Sequence, residues 1–121
     1  MILQNEMEDD HSKWQESIED FSQRNALLKY RLSEIVDSHE DKNFLQLAEY
    51  FQNELLLTDE ILKRLRSELH EYAEMKKLDY FPTEKIAKKR RTFRNGILNF
   101  ERKFLTLSDE FNKKMLESQK H

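Results

Sequence analysis

The sequence predicts an all-α fold, an elongated antiparallel up-down-up three-helix bundle with coiled-coil-like packing. The chain of 121 residues contains one Gly and one Pro, while Ala, Glu, Lys, Arg and Leu together make up 58 residues, a composition typical of long helices and coiled coils. Along three long segments, apolar residues recur at alternating spacings of three and four, as in helices that pack side by side. The length suits one domain, so residues 1–121 are predicted to form a single bundle.

The first helix is predicted at about residues 6–37, after the capping-box pattern Asn5-x-x-Glu8. We call the row of positions that faces the other helices the seam. Two of its members on this helix, His11 and Asn25, are polar, and polar seam residues reduce stability but can fix the alignment of helices. The seam consists of Met7, His11, Trp14, Ile18, Phe21, Asn25, Leu28, Leu32 and Ile35.

The second helix is predicted at about residues 42–77, with Ser38 or Asp41 as its N-cap because both side chains can accept a hydrogen bond from a free backbone N–H. Its seam has one polar member, Thr58. The seam consists of Phe44, Ala48, Phe51, Leu55, Thr58, Leu62, Leu65, Leu69 and Tyr72.

The third helix is predicted at about residues 83–118, after the single proline. The residue before a proline disfavours helical geometry, so Phe81-Pro82 indicates a break and Thr83 a cap. Gly96 lies inside this helix, where it costs about 1 kcal/mol relative to Ala, and it is a candidate for a close approach between helices. The seam consists of Ile86, Arg90, Phe93, Ile97, Phe100, Phe104, Leu107 and Phe111.

The two predicted connections are short, about four residues around His39 and about five around Asp79. Short connections place successive helices side by side and antiparallel, so the first and third helices run parallel. The N-terminal halves of these two helices therefore share one end of the bundle.

Counting along the helices predicts two polar layers that set their alignment. Asn25 falls near the level of Glu54 in the first layer. His11 falls near the level of Glu68 and Arg90 in the second.

The charges are divided unequally along the chain. Residues 1–41 carry a net charge of −7, residues 42–78 of −1 and residues 79–121 of +5. We expect the acidic start of the first helix and the basic start of the third to neutralise each other in part and to fix the helix order, although exposed pairs are individually weak. The acidic cluster consists of Glu6, Glu8, Asp9 and Asp10.

The alternative interpretation is that the basic residues bind nucleic acid or another anionic surface. Tyr80 and Phe81 lie beside them, where aromatic rings could stack on single-stranded bases. The net charge of −3 and the isoelectric point near 5.8 argue against this, because nucleic-acid modules are usually basic. The candidate anion-binding residues are Lys76, Lys77, Lys85, Lys88, Lys89, Arg90, Arg91 and Arg94.

Several large apolar residues lie off the three seams, in the middle third of the bundle. Contiguous exposed apolar side chains usually mark an interface, so we expect self-association, most simply as a two-fold dimer. Alternatively, the packing of three helices uses wider apolar stripes than a strict heptad and buries some of them. Leu56 and Leu57 fit that alternative least, because they directly follow Leu55. The predicted interface residues are Leu27, Tyr30, Leu56, Leu57, Leu98 and Leu105.

Catalytic and metal-site patterns are weak in this sequence. The chain has no Cys, which excludes thiolate metal sites, disulfides and a thiol nucleophile. Helical di-iron sites need two Glu-x-x-His motifs, and only Glu8-x-x-His11 occurs. The Ser residues lack the sharp turn that exposes a nucleophile, and a thin bundle lacks a deep pocket. We therefore expect no enzymatic activity, no cofactor and no metal.

The sequence thus favours a non-enzymatic helical-bundle protein that acts through protein–protein contacts, as a homodimer or higher homo-oligomer. Nucleic-acid binding is the alternative. No apolar run is long enough to span a membrane, and the N-terminus lacks the pattern of a secretory signal. Together with the lack of Cys, these features lead us to expect a cytoplasmic location.

Overall fold

The computed structural model describes residues 2–38, 40–78 and 81–116, with side chains over 10–115 of these ranges. Three long helices account for almost all of them: α1 at Ile2–Asp37, α2 at Lys42–Lys77 and α3 at Thr83–Phe111, which continues into a π-helical turn at Asn112–Leu116. The predicted all-α three-helix bundle is confirmed, and no strand occurs within the described ranges.

The ends of the helices differ in part from the sequence prediction. The helix α1 begins at Ile2, ahead of the Asn5-x-x-Glu8 pattern. Asp41 caps α2, since its carboxylate accepts a hydrogen bond from the Asn43 N–H at 3.2 Å. Ser38 instead closes α1, because its hydroxyl donates to the Ile35 carbonyl at 2.9 Å.

Pro82, and not Thr83, is the N-cap of α3. It has φ −60° and ψ 142°, and no side chain in the described part of the chain caps the N–H groups of the first turn. Thr83 is therefore the first helical residue and not the predicted cap. At the other end, the predicted limit at residue 118 lies outside the described residues.

Aromatic contacts between the helices establish the up-down-up arrangement. Near one end, the ring centroids of Trp14 and Phe93 lie 4.9 Å apart. Further along α1, Phe21 packs edge-on against Phe100 and Phe104, at 5.2 and 5.3 Å. Residues later in α1 thus contact residues later in α3, so these two helices run parallel. Tyr72, late in α2, is also near Trp14, at 6.1 Å, so α2 runs antiparallel to both.

The core is the predicted seam. Its buried apolar members extend from Ile18 to Ile35 on α1, from Phe44 to Tyr72 on α2 and from Phe93 to Phe111 on α3. Trp14, Ile86 and Leu107 are partly buried and pack against this core. Met115, in the π-helical turn, is fully buried as well.

Asn25 is the fully buried polar residue of the core. Its Nδ2 group donates to the Leu55 carbonyl at 3.0 Å and to Asp59 Oδ1 at 2.7 Å, whereas Asn25 Oδ1 has no hydrogen-bond partner in the described part of the chain. Lys29 Nζ also donates to Asp59, at 2.5 Å. The polar layer therefore joins α1 to α2 through Asp59 and not through Glu54.

Thr58 and Gly96, which the sequence analysis singled out, do not have special roles in the packing of the helices. The Thr58 hydroxyl donates to the Glu54 carbonyl of its own helix at 2.9 Å, so Thr58 does not join the Asn25 layer. A Cβ atom added to Gly96 would lie 4.0 Å from Leu65 Cδ2, which is a normal van der Waals distance. Gly96 therefore does not mark a close approach of helices. None of the described helices combines the length and apolarity that crossing a bilayer requires.

We predict that Asn25→Leu raises the melting temperature. The substitution removes a buried carbonyl oxygen that lacks a partner, and such an atom costs about 1–3 kcal/mol. Asp59 keeps Lys29 and has access to water, since its side chain is 37% exposed. Thermal unfolding followed by circular dichroism tests this, with the mass measured in parallel because Asn25 is expected to restrict the choice of partner. An unchanged melting temperature and an unchanged mass would contradict the prediction.

Candidate interaction surfaces

The six predicted interface residues are all exposed. Their exposed fractions lie between 44% and 62%, so the packing of the three helices does not absorb them. Exposed large apolar side chains that the sequence analysis missed are Leu45, Tyr50 and Leu78. Tyr50 had a signal in the sequence, because it precedes Leu57 by seven residues and so shares its side of α2.

Each pair of neighbouring helices forms one long face of the bundle. Ion pairs that cross between helices identify the side of each helix that belongs to each face. They are Lys29–Asp59 and Arg66–Glu19 on the α1–α2 face, Lys89–Glu71 on the α2–α3 face and Arg90–Asp10 on the α1–α3 face.

Leu27, Leu98 and Leu105 share the α1–α3 face. Gly96 faces α2, and Leu98 follows it by two residues, about 200° around the helix, so Leu98 lies on the side of α3 away from α2. Leu105, seven residues later, repeats that position. By the same geometry, Lys29 faces α2 and Leu27 precedes it by two residues, so Leu27 lies on the side of α1 away from α2.

The remaining three residues lie elsewhere. Leu56 borders a cavity between α1 and α2. Leu57 shares its side of α2 with Tyr50, which borders a cavity between α2 and α3. Tyr30 lies on the outer edge of α1, where a hydrogen bond from its hydroxyl to Glu34 raises the pKa of Tyr30. The six residues therefore do not form one patch, and only the α1–α3 face brings three of them together.

Five of the eight basic candidates interact with neighbouring side chains. Arg90 pairs with Asp10, and both side chains are about three-quarters buried. This contact realises the expected pairing of the two charge clusters, although the side chains of Glu6, Glu8 and Asp9 lie outside the described residues. The other contacts are Lys89–Glu71 at 2.9 Å, Lys77–Glu74 at 3.5 Å, Lys76 over the Tyr72 ring at 4.7 Å and Lys85 over the Phe81 ring at 5.6 Å.

Lys88, Arg91 and Arg94 are the other three basic candidates. All three are exposed, and they form no ion pair with a side chain that the structure describes. They follow one another at spacings of three, and because each step turns about 60° round the helix, they form a curved strip that winds through about 120° of the surface of α3. Tyr80, predicted to stack beside them, lies outside the described residues.

A cavity of about 350 Å³ between α1 and α2 contains two histidines, His11 and His70. Its carboxylates are engaged, since Glu19 pairs with Arg66 and Glu74 with Lys77. Partial burial lowers the pKa of His11, and the charges of Lys76 and Lys77 lower it further. His11 thus belongs to a layer with His70 and not with the predicted Glu68. The described side chains include no group of three or more His, Asp or Glu placed to hold a metal ion.

Comparison with protein-family models, with curated proteins and with solved structures finds no match for this chain. Its exposed leucines and charged strips therefore carry the functional interpretation.

We predict that His11 makes the stability depend on pH. Because the pKa of His11 is lowered in the folded protein, the unfolded chain binds the proton more tightly, and the free energy of unfolding falls as the pH drops through about 6.5. Between pH 7.5 and 5.5, by urea unfolding, the wild type should lose more stability than His11→Gln. Equal losses in the two proteins would contradict the prediction.

Proposed function

We propose that this protein is a non-enzymatic helical bundle that acts through protein–protein contact in the cytoplasm and associates with copies of itself. The observation that carries the proposal is the set of six large apolar side chains on the outer surface, each 44% or more exposed. Apolar groups of this size that remain in water in the single chain become favourable contacts when a second protein covers them.

Burial of these leucines offsets part of the cost of forming a dimer. Fully burying one exposed leucine side chain contributes about 1.5–3 kcal/mol, and a two-fold interface buries the same leucine in both copies. Association costs about 4–15 kcal/mol in lost freedom of motion. Because the three leucines are already about half buried in the single chain, the six of a dimer contribute about 5–9 kcal/mol, which reaches the lower part of this range.

We expect the wild-type protein to form a dimer at micromolar concentration. Sedimentation equilibrium or light scattering measures this directly, because both report mass independently of the elongated shape. The mass should approach twice that of the 14.8 kDa chain and fall on dilution. A mass of one chain at every concentration would contradict the proposal.

A second candidate function is the binding of an anionic surface or nucleic acid. It is supported by the strip of Lys88, Arg91 and Arg94, which forms no ion pair with the described side chains. Against it stand the contacts of the other five basic residues with acidic or aromatic neighbours and the net charge of −3.

Heparin and single-stranded DNA distinguish the two functions. We expect little retention on either, and the same elution for Arg91→Glu plus Arg94→Glu as for the wild type. Retention that falls steeply with salt, and is lost in this variant, would favour the second candidate instead, because phosphate contacts release counterions.

A further inference from the structure

We propose that the second copy docks on the α1–α3 face, with the two bundles antiparallel and related by a two-fold axis. This inference rests on the proposed self-association and names its surface. The α1–α3 face is defined by Lys13, Leu27 and Glu34 on α1 and by Arg91, Leu98 and Leu105 on α3.

This face holds the largest group of exposed leucines. Leu98 and Leu105 are separated by seven residues, two turns of the helix, and are 44% and 47% exposed. Leu27 is 50% exposed and lies across the shallow valley between the helices. By contrast, Leu56 and Leu57 point onto two different faces, so neither face could bury both.

In an antiparallel dimer with two-fold symmetry, the exposed leucines of α3 in one copy contact those of α3 in the other. When two copies of α3 run in opposite directions with the axis midway between Leu98 and Leu105, Leu98 of each copy lies opposite Leu105 of the other. The four leucines then form two apolar pairs, one on each side of the axis, with Glu101 of each copy beside the axis between them. On α1, Asp20 repeats the position of Leu27 seven residues earlier and is paired with Arg24 at 3.2 Å, so this ion pair lies beside the four leucines within the face.

The charges on α1 fit the same symmetry. Lys13 and Glu34 are exposed and repeat the position of Leu27, fourteen residues before it and seven residues after it. In the antiparallel dimer, Lys13 of one copy approaches Glu34 of the other, and the contact occurs twice. In a parallel dimer, Lys13 would instead face Arg91 and Arg94, because the Asp10–Arg90 pair places those residues at its level. This contact between like charges would occur twice in the parallel dimer, once for each Lys13, and it disfavours the parallel arrangement.

Paired leucine substitutions test the choice of face. Leu98→Glu plus Leu105→Glu should convert the dimer to a monomer without loss of helicity, because both side chains are exposed in the single bundle. The matched control, Leu56→Glu plus Leu57→Glu, changes two equally exposed leucines and should leave the dimer intact. If the wild type is a dimer and only the control variant dissociates it, this face is wrong while the proposed function stands. If the wild type is a monomer, both fail.

A charge exchange tests the antiparallel direction. Lys13→Glu and Glu34→Lys should each weaken dimerisation several-fold, because each places like charges opposite one another. The double variant should recover the wild-type dissociation constant, since both contacts again pair opposite charges. Additive weakening in the double variant would overturn the antiparallel arrangement.

Engineered cysteines test the position of the axis, and the chain has no native Cys to interfere. Glu101→Cys lies beside the proposed axis, between the two leucines, so mild oxidation should convert it to a disulfide-linked dimer. Thr106→Cys, exposed beside the α2–α3 cavity, is the control and should remain monomeric on a denaturing gel. Cross-linking at Thr106→Cys and not at Glu101→Cys would overturn the proposal.

Discussion

The structure depends on the burial of one continuous seam of large side chains between three helices. Neither the capping groups nor the exposed ion pairs are strong enough to hold helices of this length together, since each contributes about 1 kcal/mol or less. Aromatic rings fill much of the seam, and Phe21 touches two rings of α3 at once. Every outward position, including those of the leucines, is defined by its relation to this seam.

The fold was predictable because the spacing of apolar residues is itself the packing rule. Alternating steps of three and four keep one side of a helix turned inward, and the same count identifies which leucines must point outward. The limits of α2 at Lys42 and Lys77 follow from a clear apolar pattern, and one of the two candidate caps, Asp41, is the observed N-cap. The start of α1 was predicted wrongly, because a capping box is a local signal and the helix can continue through it.

The polar contacts were less predictable than the seam. Asn25 was placed near the level of Glu54, and it does bond to the carbonyl of the next residue, Leu55, but its side-chain partner is Asp59, five residues or about 7.5 Å further along α2. The stagger of two antiparallel helices sets such distances, and the length of a loop constrains it only loosely. The grouping of the leucines has a similar origin. The sequence indicates that Leu56 and Leu57 lie outside the seam. The face on which each leucine lies depends on where α1 and α3 pack against α2, and the sequence does not give that.

At the end of α3, the backbone adjusts to the side chains. Lys114 and Met115 follow Phe111 by three and four residues, and in an α-helix both spacings return to the face of Phe111. The π-helical turn at Asn112–Leu116 accommodates one additional residue, so Met115 is buried and Lys114 is exposed. The wider turn thus changes the side of the helix on which each of the following residues lies. The turn thereby decides which of two adjacent residues, a lysine or a methionine, closes this end of the core.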